Sequence, residues 1–159
     1  MIHEKSCGAL VVRRGKDGKP YILMIRQRRG GNRSFPKGHV EVGETELMTA
    51  EREVFEETGV RYEVDRLAFI HENFFPGRNV PVCHEVALYF LMKPRGTQEL
   101  HPHGTSFGVP ETMHWLPIEH LREYRAFPAF LADCLPVPPG ITHIVSRNEK
   151  TGSKGRERQ

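Results

Sequence analysis

The stretch from Gly38 to Val60, GHVEVGETELMTAEREVFEETGV, constrains this chain more than any other feature. Gly38, Glu44, Arg52, Glu53, Val54, Glu56, Glu57, Gly59 and Val60 fit the spacing G-x5-E-x7-R-E-U-x-E-E-x-G-U, where U is aliphatic. At ordinary residue usage a chance match is on the order of one in ten million, so the pattern demands a physical cause. Thr45 is a candidate N-cap, the run 46–58 has no Gly or Pro, and Gly59 stands where helices end in a left-handed residue. The stretch therefore predicts a loop followed by one helix. At about 100° per residue, Leu47, Ala50 and Val54 form a stripe for a core, and Glu53, Glu56 and Glu57 form an acidic stripe beside it.

Three carboxylates held that close repel one another, and one is driven toward its acid form. A hard divalent cation removes the penalty, because Mg²⁺ and Mn²⁺ take oxygen ligands of high charge. Arg52 adjoins Glu53 and lies one turn before Glu56, which lets it orient the cluster. A Glu-rich helix face alone is ordinarily solvated surface. What separates this one is the loop before it, Pro36-Lys37-Gly38-His39 and then Gly43-Glu44, a rigid turn that brings backbone carbonyls to the helix. Glu44 is nine residues from Glu53 and off the acidic stripe, so its expected role is to hold the loop at the helix N-terminus.

On these residues the chain resembles a Nudix hydrolase, the pattern being that family's box. The box covers residues 38–60, and the spacing of other elements is compatible with the family over 6–135. The resemblance implies an α/β fold, an α–β–α sandwich with a mixed sheet. The ligand set implies Mg²⁺ or Mn²⁺ on Glu53, Glu56, Glu57 and the Gly38 carbonyl, with water activated by Glu53 or Glu56 and Arg52 in support. The resemblance further implies attack at phosphorus in a nucleoside diphosphate linked to another moiety. The family often adds an acidic ligand from outside the box; Glu111 is the best match, with Glu99 and Glu85 as rivals. The phrase from Pro36 to Glu41 looks most like bacterial diadenosine tetraphosphate hydrolases, which makes a dinucleoside polyphosphate the expected substrate. ADP-ribose, an oxidised nucleoside triphosphate or an RNA 5′ end are the alternatives within the chemistry. A nucleotide-sensing domain without catalysis, or an isopentenyl diphosphate isomerase, would need carboxylates lost or an extra cysteine and glutamate in their own context.

Substrate contacts are expected from Lys37, one residue before the box, from Arg28 with its neighbours Arg26 and Arg29, and from Phe74, whose ring could stack on a nucleobase. His101 and His103 have no supporting ligands nearby and read as solvated.

The chain's 159 residues make one domain. With no apolar run near twenty residues and no charged-then-apolar leader, neither a membrane nor secretion is expected. Cys7, Cys83 and Cys134 are an odd, widely spaced set that fits reduced thiols and a cytoplasmic protein. The formal charge of +3 sits wholly in the last thirteen residues, which carry Arg147, Lys150, Lys154, Arg156 and Arg158 against Glu149 and Glu157. Residues 1–145 are thus read as the catalytic domain and 146–159 as a disordered, solvated basic tail. The expected partner is a small nucleotide rather than nucleic acid or membrane. Strands are expected at 6–14 and 21–27, joined by the turn Lys16-Asp17-Gly18-Lys19, then at 62–71, 82–92 and 112–116. A long loop is expected over 93–110, and helices over 117–124 and 126–135.

Overall fold

A computed structural model of the chain describes residues 1–26, 32–94, 105–106, 109–110 and 112–148. Strand β1 (Ile2–Leu10) ends in five successive buried residues, because both faces of its C-terminal half are covered. After Val11 the chain continues as β2 (Val12–Arg14), β3 (Pro20–Arg26), β4 (Arg33–Ser34) and β5 (Lys37–His39). Helix α1 (Glu46–Thr58) follows, then the long strands β6 (Val64–Phe75) and β7 (Cys83–Met92). Two short strands, β8 (Thr105–Ser106) and β9 (Val109–Pro110), pair with each other. Next come β10 (Thr112–Pro117), a 3-10 helix (Ile118–Glu123), β11 (Ala126–Phe127), the short α2 (Leu131–Cys134) and β12 (Thr142–Arg147).

One mixed sheet has the order β12-β6-β7-β1-β5, and a second has the order β10-β3-β4-β11 with β2 paired to β3. Within the first, β1 runs parallel to β7 and antiparallel to β5, which sets Cys7 against Gly38 and Gly8 against Lys37. Side-chain alternation then splits the core in two. Cys7, Ala9, Leu23, Ala50, Val54, Phe90 and Met92 pack beneath α1. Leu10, Ile22, Met24, Phe35, Phe69, Tyr89 and Leu131 pack on the opposite side, toward the 3-10 helix and α2. This is the α–β–α layering with a mixed sheet that the sequence implied. No helix among the described residues is long and apolar enough to cross a membrane.

Several local expectations need correction. The strand read at 6–14 is two strands, and its first half is the spine of the sheet rather than one arm of the hairpin, which β2 and β3 form alone. Leu47 is 48% exposed, and the buried stripe is Thr49, Ala50, Glu53, Val54 and Thr58. The helix expected over 126–135 shrinks to α2. Pro128 has no N–H to give a helix, and Ala126–Phe127 pairs with β4 instead. Strand β12 was not foreseen at all, and it carries Ser146 and Arg147, which had been assigned to the tail. Alternate residues of β12 are half-buried against β6. Ser146 Oγ lies 2.9 Å from His71 Nε2, and the Asn148 N–H donates to the Phe74 carbonyl at 2.8 Å. Of the tail, residues 149–159 lie outside the described residues, as does most of the loop at 93–110.

At Gly8 a Cβ would meet the Tyr89 ring at 3.0 Å and Lys37 Cβ at 3.1 Å. Both neighbours are fixed by strand pairing, so neither gives way easily. Gly8→Ala should therefore cost about 1–3 kcal/mol of stability by overpacking, measured by urea denaturation. An unchanged midpoint would show that the sheet yields at this point.

Candidate active site

The loop before α1 is pinned at both ends. Gly43 adopts φ +85°, a left-handed conformation that glycine takes without strain. Thr45 caps the helix, its side chain accepting from the Met48 N–H at 3.2 Å, and Gly59 closes it at φ 69° with its N–H on the Phe55 carbonyl. Glu44 anchors the loop as expected: its Oε2 accepts from the Glu41 N–H at 3.1 Å and from Thr49 Oγ1 at 2.7 Å.

Arg52 is the hub. Its Nε donates to Glu44 Oε1 and its Nη2 to Glu44 Oε2 at 3.2 Å, a bidentate pairing. Nη2 also reaches the His39 carbonyl at 3.1 Å, while Nη1 donates to Glu53 Oε1 at 2.9 Å and Glu56 Oε2 at 3.3 Å. One guanidinium thus ties the loop backbone to three carboxylates.

Those carboxylates are not equivalent. Arg52 first, and then Thr49, holds the Glu44 carboxyl down at about 2, so it stays ionised. Glu53 is buried, and loss of hydration pushes its pKa up against the pull of Arg52. Glu56 is exposed, and Glu57 is half-buried at the last turn of α1. Gly38 lies directly under Glu53, and a Cβ there would collide with the Glu53 carboxylate. The glycine of the box is therefore required for Glu53 to rest against the loop.

Among the described residues, no three acidic, histidine or cysteine side chains stand in metal-ligating geometry. Glu53 and Glu56 fan around Arg52 instead of around a shared point. The donor set still fits a hard divalent cation: carboxylate oxygens beside a glycine loop, with a cradle at Gly38 that any side chain would fill. Glu53, Glu56, Glu57 and the Gly38 carbonyl are the groups available to hold one.

Glu57 also lines a cleft of about 370 Å³ with Asn32, Arg33, Phe35, Lys37 and Phe127. Lys37 is exposed at its mouth, and its Nζ donates to Glu85 Oε1 at 3.3 Å. The sequence pointed to Lys37 as a substrate contact and gave no sign of its pairing with Glu85. Arg33, which stands over the Tyr124 ring, was missed. The signal for Glu85 was a carboxylate at a core-facing position of an apolar strand, in step with Ala87 and Tyr89.

Phe74 belongs to β6, not to a loop, and does not line this cleft. Its ring stacks on His84 at 4.3 Å and lies under the Arg147 guanidinium at 4.4 Å. These neighbours come from β7 and β12, which flank β6 on opposite sides, so both faces of the ring are taken. Phe74 thus offers no face to a nucleobase. Arg28 and Glu111, like Glu99, lie outside the described residues. A larger recess of about 720 Å³ on the solvent side of α1 is lined by none of Gly38, Glu53, Glu57 and Lys37.

The NUDIX domain model matches residues 4–136. The chain belongs to the Nudix family. It is 39% identical over 98 residues to a MutT-like protein of Streptomyces ambofaciens, covering 62% of this chain and 56% of that protein. It is 36% identical over 133 residues to a Mycobacterium tuberculosis protein named as mutator protein MutT4, covering 79% of this chain and 51% of that one. The chain therefore spans about half the length of the curated relatives it matches. Its fold is similar to that of the MutT NUDIX hydrolase of Burkholderia pseudomallei, at TM-score 0.60 and 24% identity over 75% of this chain and 86% of that one. It is also similar to the C. elegans Ap4A hydrolase, at TM-score 0.60 and 21% identity over 85% and 94% of the two chains. The NUDIX domain of Shewanella oneidensis NrtR, crystallised with ADP ribose, aligns at TM-score 0.59 and 16% identity over 78% and 79%. At these identities the solved structures establish the Nudix fold. Nudix proteins generally use divalent metal ions.

The depressed Glu44 carboxyl has a pH consequence. Its folded value lies below the ordinary 4.5, so its stabilisation is complete above 4.5 and is lost as pH falls toward about 2. Melting temperatures of wild type and Glu44→Gln between pH 2 and 7 should differ at pH 7 and converge at the acid end. Parallel curves across that range would show that Arg52 does not hold this carboxylate.

Proposed function

We propose that this Nudix protein hydrolyses a phosphoric anhydride in a nucleoside diphosphate linked to another moiety, with Mg²⁺ or Mn²⁺. The observation that carries this reading is the Glu53 carboxylate, buried on Gly38 with one oxygen held by Arg52 and its proton affinity raised.

A divalent cation on Glu53, Glu56, Glu57 and the Gly38 carbonyl would neutralise phosphate oxygens and acidify the attacking water. The side chains do the rest. Arg52 fixes Glu53 Oε1, which leaves Glu53 Oε2 to take the water's proton. The water oxygen forms a bond to phosphorus, and the anhydride P–O bond breaks. Lys37 at the mouth of the cleft holds an oxygen of the phosphate chain. Glu56, exposed and weakly held by Arg52, is the second candidate for the base.

For the substrate, a dinucleoside polyphosphate such as diadenosine tetraphosphate has the Pro36–Glu41 phrase and the Lys37 cation in its favour. The structural likeness to an Ap4A hydrolase concerns the fold and adds little to the choice. A nucleoside triphosphate is the second reading. It is favoured by the MutT-named relatives, whose identity to this chain is higher.

Hydrolysis, followed by phosphorus NMR, should vanish with chelator and return with Mg²⁺ or Mn²⁺. Glu53→Gln should cut turnover by about 10²–10⁴-fold. Glu46→Gln should leave turnover within about twofold, since Glu46 pairs with Lys5 at 2.6 Å at the far end of α1. Comparable losses in the two variants, or full activity in excess chelator, would defeat this mechanism. A panel of diadenosine tetraphosphate, ADP-ribose, nucleotide sugars, oxidised nucleoside triphosphates and 5′-triphosphorylated RNA decides the substrate. Tenfold better hydrolysis of any other compound than of the tetraphosphate would overturn the dinucleoside assignment and leave the chemistry standing.

A further inference from the structure

The face of the five-stranded sheet turned away from α1 carries an unusual polar set. Cross-strand register puts Lys37, Gly8 and Tyr89 in one row and Ser6, Ala87 and His71 in the next, with Glu85 one step further along β7. All of these side chains project from the same face. Around them the packing is aromatic and largely buried: Phe35 and Phe130 both meet the Tyr89 ring edge-on, and Phe130 lies against His71 at 4.7 Å.

Into this apolar floor the chain sets a carboxylate. The Glu85 side chain is only 14% exposed and spans β1 to reach Lys37 at 3.3 Å. Two hydroxyls on the same face, Ser6 Oγ and Tyr89 Oη, are buried without a hydrogen-bond partner among the described residues. Leaving buried hydroxyls unbonded is costly, and native folds rarely do so without a functional reason. The Glu85 carboxylate adds to burial in pushing the Tyr89 phenol up, so the two groups feel each other. Packing alone would favour an apolar residue at position 85, in step with Ala87 and Tyr89.

We propose that Glu85, joined to the cleft through Lys37, is the specificity-determining residue for the nucleotide, accepting two hydrogen bonds from an adjacent pair of donors on the bound nucleoside. An ionised carboxylate is an acceptor only, with two oxygens side by side. The donor pairs a nucleoside offers to such a group are the ribose cis-diol and the N1–H/N2–H edge of guanine. Binding exchanges one ion pair for two contacts: Lys37 passes to a phosphate oxygen, Glu85 passes to the donor pair, and neither charge is left unpaired. The inference rests on the nucleotide reading above and names the part of the nucleotide that is selected.

Mononucleotides have no anhydride, so their binding is read without turnover. Calorimetric titrations of GMP, dGMP, AMP and dAMP, with Mg²⁺ present, should be run on wild type, Glu85→Gln and Lys37→Ala, each checked for folding by thermal melt. The wild type should prefer GMP over AMP if the guanine edge is the donor pair, or ribonucleotides over deoxyribonucleotides if the diol is, by at least about tenfold. Glu85→Gln should erase that preference. Lys37→Ala, which leaves the carboxylate in place, should weaken all four ligands and keep the preference. Equal wild-type affinity for all four, or a preference that survives Glu85→Gln, would overturn the proposal. The hydrolase reading is tested separately on anhydride substrates: a wild type that shows the preference but cleaves none of them supports the role of Glu85 and contradicts the catalysis.

Discussion

A single guanidinium organises this protein's candidate site. Arg52 binds Glu44 through two nitrogens, the His39 carbonyl through one of them, and Glu53 and Glu56 through the third. Without it, three carboxylates and a backbone carbonyl would face one another with no cation between them. An arginine suits this task better than a lysine, because its planar fork holds several acceptors at fixed angles while keeping its charge. Its two flanking carboxylates are shifted in opposite directions: Arg52 holds Glu44 down at about 2, and burial pushes Glu53 up. Separating the proton affinities of neighbouring carboxylates is how a site gains a base without losing its scaffold.

Strand pairing supplies the second constraint. Because β5 is antiparallel to β1 in a fixed register, Gly38 turns toward α1 and Lys37 toward the other face of the sheet. Loop and cation therefore sit on opposite sides of a three-residue strand, and neither can move without the other. The same alternation carries Glu85 to the side of Lys37, which explains how a cation at the end of one strand finds a carboxylate two strands away.

What the sequence revealed, and what it hid, follows from how local each signal is. The loop, both caps of α1, Glu44 as anchor and Arg52 as hub were legible, since every one depends on residues within a single continuous stretch. Strand β12 was hidden, because its alternating half-buried residues Thr142, Ile144 and Ser146 include only one large apolar side chain and their partner β6 lies some seventy residues earlier. Phe74 looked like a loop aromatic because Pro76-Gly77 follows closely, yet its ring is claimed by His84 and Arg147, both remote in sequence. Leu47 obeyed the helical period but is exposed, and periodicity alone cannot say how far around a helix its packing partners reach. Glu85 was visible only as one of several acidic candidates until strand register set it beside Lys37.

The central claim is that the acidic face of α1, with Gly38 beneath it, gathers one divalent cation. Electron paramagnetic resonance of Mn²⁺ titrated into the protein tests this without reference to any substrate. The wild type and Glu46→Gln should each bind Mn²⁺ at one saturable site, and a variant with Glu53, Glu56 and Glu57 all changed to Gln should lose it while remaining folded. Mn²⁺ titrations that are the same for the wild type and the folded triple variant would contradict the account.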